Sequence, residues 1–253
     1  MATKKATKKS VTVKPKVSSA SLDGFTSKLS ERAFVGSLLI EILGTFLLAL
    51  AFMISQGQPV IMLFAMIAVV VTVGTKGGVH LNPAVTIAAW LTKNVNGFRA
   101  TMYVLGQFLG AVLAYGVLKY FVDAAGAQNA SAMLGSVTQM FQIQVLPKDK
   151  EWYVLLAEAI GSLVLGYGYA SALKSKNDKM SYGVTLGFAL FISLIIASAA
   201  VNYVSGSAVL NPAITAVLGA NFNNYWTYLV YLVAPTVGAL LGFILNKAIN
   251  TDK

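Results

Sequence analysis

Leu81-Asn82-Pro83-Ala84 decides how this chain is read, because it recurs as Leu210-Asn211-Pro212-Ala213, 129 residues later. Each copy opens a short apolar stretch, Leu81–Leu91 and Leu210–Leu218. At about 1.5 Å per residue neither stretch is long enough to cross a bilayer. Proline suits the first turn of a helix and asparagine its N-cap, so each stretch is expected to be a half-helix that starts abruptly at its asparagine.

The flanking sequence repeats in the same order. Leu38-Leu39-Ile40-Glu41-Ile42-Leu43-Gly44-Thr45 is matched by Leu155-Leu156-Ala157-Glu158-Ala159-Ile160-Gly161-Ser162. Gly110-Ala111-Val112-Leu113 is matched by Gly238-Ala239-Leu240-Leu241. Between these landmarks lie six longer apolar segments, about Phe34–Ile54, Val60–Val73, Ala100–Val122, Trp152–Leu173, Tyr182–Val201 and Tyr225–Ile249. Charged residues make up 11% of the chain and hydrophobic residues 57%, which fits a membrane protein and leaves no room for a large soluble domain. Each repeat holds three segments, an odd number, so the second must insert upside down relative to the first. Such inverted repeats place their site near the midplane, where interrupted helices meet. The expected fold is all-α: six transmembrane helices plus two re-entrant half-helices. Repeat one covers about 34–122 and repeat two about 152–250, within one channel domain at 34–250.

Charge sets the expected orientation. Residues 1–33 hold eight basic residues against Asp23 and Glu31, and the first 20 offer little apolar surface to bury, so this tail is expected to be disordered. The loop Lys174-Ser175-Lys176-Asn177-Asp178-Lys179 and the C-terminal Lys247 and Lys253 are basic too. An even number of spans puts all three on one side, the cytoplasm, with the protein in the cell (plasma or inner) membrane. Nothing aromatic or structured in the tail suggests nucleic-acid binding. Without cysteine and with His80 as its one histidine, the chain offers no thiolate chemistry and no protein metal site, and no cofactor is expected. No catalytic constellation is visible, so an enzyme is not expected.

The stretch Gly77-Gly78-Val79-His80-Leu81-Asn82-Pro83-Ala84-Val85-Thr86, with its second Asn-Pro-Ala partner, resembles the signature of the major intrinsic protein family, the aquaporins and aquaglyceroporins. The resemblance covers about Phe34–Asn250. It implies a passive pore for water or small uncharged solutes such as glycerol, one per subunit, in a lipid bilayer and usually in a homotetramer. It places Asn82, Pro83, Ala84, Asn211, Pro212 and Ala213 at the centre of the pore and His80 near its cytoplasmic mouth. Glu41 and Glu158 are read as acceptors for main-chain N–H groups of the re-entrant loops. Gln107 and Pro235 occupy equivalent repeat positions and are read as structural.

The chain departs from the family at the outer constriction. Most members follow the second motif with arginine; here Ile214 stands there, and Thr215 and Ala216 follow where glycerol-conducting members often carry aspartate. The other filter positions fall at Met62, with Phe64 an alternative, at Ala208 or Ser207, and within Leu194–Ala199, with Ala199 taken as the representative. Two rival readings stay open: an ion-coupled secondary transporter using Glu41 or Glu158, and a non-conducting structural member of the fold.

Overall fold

The computed structural model describes residues 32–74, 78–126 and 140–250. Residues 1–31 of the expected basic tail, Gly77 of the signature stretch, residues 127–139 and the C-terminal Lys253 lie outside the described residues. Among the described residues the secondary structure is helical. The order is α1 (Arg32–Ser55), α2 (Pro59–Val73), α3 (Pro83–Leu91), α4 (Gly97–Ala125), α5 (Glu151–Ala172), α6 (Lys179–Asn202), α7 (Pro212–Val217), α8 (Tyr225–Tyr228) and α9 (Ala234–Ile249). A π-helical turn, Leu229–Val233, joins α8 to α9 as one span. Among the described residues five helices are long and apolar enough to cross a membrane, and α2 is a shorter apolar helix of 15 residues. The six expected segments match these within a few residues. The second half-helix is shorter than expected, because Leu218 already caps it.

Local chemistry starts and stops each element. Gln58 accepts from Ile61 N at 2.8 Å ahead of Pro59, and Asn96 accepts from Arg99 N at 2.9 Å. Asp178 caps α6 through Met180 N at 3.0 Å and takes a hydrogen bond from the Ser181 hydroxyl. Those bonds hold its carboxyl below the usual carboxylate range. The π turn has an evident cause in Pro235, which cannot donate to the turn before it, so the ladder widens there instead of breaking.

Exposed positions on the spans carry large apolar side chains such as Leu39, Phe64, Leu105, Phe121 and Phe188. Between helices the chain uses glycine to bring backbones together. A Cβ built on Gly238 of α9 would lie 2.2 Å from Ala159 O of α5, and one on Gly110 of α4 would lie 2.4 Å from Ile42 O of α1. These glycines occupy matching repeat positions, and each abuts the carbonyl of the residue after its repeat's glutamate. Gly166 and Gly242 continue the α5–α9 seam, where an added Cβ would lie 2.3 Å from Ala239 O and 2.2 Å from Leu163 O respectively. Main-chain oxygens cannot swing aside, so Gly238→Val is expected to prize α5 and α9 apart, at roughly 1–3 kcal/mol or more. Monodisperse recovery in detergent checks this. Gly238→Val should aggregate, whereas Gly116→Ala, with nothing within 4 Å of its added methyl, should match the parent.

Candidate pore at the half-helix junction

The two re-entrant loops meet as near copies related by a two-fold rotation. Leu81 (φ 57°) and Leu210 (φ 60°) both take the left-handed conformation immediately before their asparagines. Such strain persists only when neighbours over-determine it. Here a buried carboxylate does so in each half. Glu41 Oε1 accepts from His80 N at 2.7 Å and Oε2 from Leu81 N at 2.8 Å. Glu158 Oε1 accepts from Val209 N at 2.6 Å, and Oε2 from Leu210 N at 3.0 Å.

The asparagines then lock the halves together. Asn82 Oδ1 accepts from Ala84 N at 2.9 Å and Asn211 Oδ1 from Ala213 N at 3.1 Å, the N-cap role expected of them. Their amide nitrogens cross the junction: Asn82 Nδ2 donates to Leu210 O at 2.7 Å and Asn211 Nδ2 to Leu81 O at 3.0 Å. An amide has two donor hydrogens, so one on each asparagine is left for the cavity that both residues line.

Symmetry breaks around the first loop. Gln107 Nε2 donates to Glu41 Oε2 at 2.6 Å and to Thr86 Oγ1 at 2.9 Å, a service its counterpart Pro235 cannot perform for Glu158. The Tyr182 hydroxyl donates to Val79 O at 2.9 Å, and the Tyr169 hydroxyl to His80 O at 2.6 Å. His80 places Nδ1 3.2 Å from Thr86 Oγ1 and turns its ring edge-on to Tyr103.

Two cavities lie along the axis through this junction. The larger, about 620 Å³, is lined by Gln56, Gln142, Gln144, Ser198, Asn202, Ser205 and Ser207 together with Phe52, Ala208, Val209 and others, and among the described residues it carries no charged side chain. The smaller, about 10 Å³, sits at the asparagines and has room for about one water. Most of its lining falls into repeat-related pairs: Leu48 with Leu165, Phe52 with Tyr169, Met62 with Leu190, Met66 with Leu194, and Asn82 with Asn211. Val209 and Ile214 complete it.

The expected site residues distribute as follows. Met62 and Ile214 line the small cavity and Ala208 the large one. Phe64, the alternative to Met62, is exposed on the outer face of α2. Ala199 is exposed and lines neither cavity, because α6 turns Leu194 and Ser198 toward the axis at that level. His80 is half-buried beside the small cavity without lining it. The sequence reading missed Phe52, Tyr169 and Leu190. Their signal was the repeat itself, continued beyond the glutamates.

An inverted repeat whose half-helices cap one another across a narrow axial cavity defines a membrane channel fold. Residues 28–245 match the family model described as Major intrinsic protein. Aquaporin AqpM of Methanothermobacter marburgensis is 31% identical over 198 residues, 75% of this chain and 74% of the relative. Glycerol uptake facilitator protein-like 6 of Lactiplantibacillus plantarum is 26% identical over 227 residues, 85% of this chain and 98% of the relative. The aquaglyceroporin structure from Plasmodium falciparum superposes with a TM-score of 0.64 at 17% identity, over 86% of this chain and 98% of that one, and so shares the fold. The chain belongs to the major intrinsic protein family, a family of membrane channels.

Proposed function

We propose that the protein is a passive channel for water and small, weakly polar solutes such as glycerol. The solute passes between Asn82 and Asn211, and Ile214 and Met62 contribute an apolar outer constriction. The observation that carries this reading is the pair of cross-bonded asparagines, each with one donor hydrogen left for the axis. A solute oxygen at that level accepts from both, and a water doing so cannot relay a proton onward, because its neighbours on the two sides are oriented oppositely. The remaining wall is apolar apart from the Tyr169 hydroxyl, which suits neutral cargo.

The narrowness of the small cavity favours one further state of the same pore, closed at this level until its lining side chains move. The coupled-transporter reading has less support, because both glutamates have each carboxylate oxygen committed to main-chain donors. We further infer a homotetramer in the cell membrane with both termini cytoplasmic; native mass spectrometry and accessibility labelling from either side test these.

Light scattering from proteoliposomes under a glycerol gradient tests the solute. Glycerol entry well above that of empty liposomes supports the apolar outer constriction. Fast osmotic water flux with glycerol excluded restricts the cargo to water. Because the chain has no cysteine, mercurial reagents are expected to leave either flux unchanged in the purified protein. Inhibition reversible by added thiol contradicts that expectation.

A further inference from the structure

We propose that Phe52 and Tyr169, related by the internal repeat, are the pore's two aperture side chains, one on each side of the asparagine pair. The proposal rests on the channel reading above and assigns its size limit to residues outside the expected filter.

The repeat runs further than its glutamates. Glu41, Thr45, Leu48 and Phe52 have the spacing of Glu158, Ser162, Leu165 and Tyr169. Eleven residues make three helical turns plus about 20°, so each aromatic shares its glutamate's helix face, about 16 Å along the axis. The glutamate holds a re-entrant loop, so that face is the one turned to the pore. Because the repeats are inverted, one ring is carried toward one end of the pore and the other toward the opposite end. Both rings are buried, and both line the small cavity at the asparagines. Phe52 lines the large cavity as well, and so stands where the wide vestibule meets the narrow junction.

The two rings are held differently. Phe52 is wedged. The turn after α1 brings Gly57 (φ 70°) against it, and a Cβ on Gly57 would fall 2.8 Å from two ring carbons. Tyr169 is latched, because its hydroxyl donates to His80 O at 2.6 Å. That bond fixes the ring in the wall of the small cavity. Phe52 therefore limits size at the vestibule side, and Tyr169 limits it on the other.

The test is stopped-flow water and glycerol permeability of proteoliposomes containing the parent, Phe52→Ala, Tyr169→Val, the double variant, and Phe188→Ala as an aromatic truncation on the exposed face. Phe52→Ala is expected to raise glycerol permeability on the order of tenfold, the effect of a barrier lowered by one to two methylenes' worth of transfer free energy. Tyr169→Val is expected to raise water permeability severalfold, and the double variant to exceed either; Phe188→Ala should match the parent. Phe52→Leu and Tyr169→Phe retain most of the volume and carry the test if the larger truncations do not fold. Conduction by the variants from a silent parent also supports the proposal, with the rings closing the pore. Lining variants that keep both the parental rates and the parental glycerol-to-water ratio overturn the proposal and leave the channel reading standing. Silence of the parent and every variant removes the channel reading, and the proposal with it.

Discussion

Glu41→Leu is expected to abolish the folded protein, and Glu158→Leu to cripple it. Removing the Glu41 carboxylate strands three donor hydrogens, those of His80 N and Leu81 N and one of the two on Gln107 Nε2, whose other hydrogen still meets Thr86 Oγ1. Removing Glu158 strands two, Val209 N and Leu210 N. At about 1–3 kcal/mol for each unsatisfied buried group, the losses are roughly 3–9 and 2–6 kcal/mol, comparable with the entire stability of an ordinary domain. The left-handed leucines at 81 and 210 would also lose the groups that hold them. Thermal unfolding in detergent reads this directly, with Glu41→Leu expected to fall further than Glu158→Leu. Parental unfolding temperatures for both leucine variants would contradict the structural assignment. If such stable variants also lost a pH-dependent, saturable flux, the coupled-transporter reading would take its place.

Ile214→Arg is expected to change what the pore passes more than any other single substitution at the constriction. Ile214 is buried in the wall of the small cavity beside Met62, Leu194 and Val209. A guanidinium there adds five donors and a fixed positive charge to an apolar wall. Water can satisfy such donors, whereas the carbon backbone of glycerol cannot. Glycerol permeability should therefore fall by about tenfold, the factor that each 1.4 kcal/mol of barrier produces, while water permeability holds or rises. Parallel glycerol and water traces from one liposome preparation check the ratio. An unchanged ratio would place the selective step away from Ile214.

Much of this fold was legible in the sequence because membrane physics leaves few choices. Long uncharged runs have to be spans, and two short ones headed by Asn-Pro-Ala have to be half-helices. The glutamates stood out because an unpartnered carboxylate is costly in an apolar span, and the loops supply the partners. Gly110 and Gly238 were legible as repeat landmarks, and the structure shows why each must be small. The constriction was harder to read. The span-five position could be narrowed only to Leu194–Ala199, with Ala199 standing for that range, and one residue of slip rotates a helical position by about 100°. That slip separates exposed Ala199 from Ser198 on the vestibule wall. Phe52 and Tyr169 hid for another reason: an aromatic in an apolar span carries no mark of its own, and only the repeat register singles it out. The cross-bonds from Asn82 to Leu210 and from Asn211 to Leu81 join positions about 130 residues apart, and pairings at that range become visible only once the chain is folded.

The central claim is passage of neutral solute between the two asparagines. The most direct test is stopped-flow osmotic shrinkage of proteoliposomes, with entrapped pH dye, for the parent beside an Asn82→Asp/Asn211→Asp double variant. The account predicts parental water or glycerol flux well above empty liposomes without proton leakage. In the double variant it predicts loss of that flux or the appearance of a proton leak, because both axial donors and both cross-bonds are gone. A double variant indistinguishable from a conducting parent in flux and in proton tightness would contradict it, as would a folded, reconstituted parent that accelerates neither solute and stays silent when Phe52 and Tyr169 are truncated.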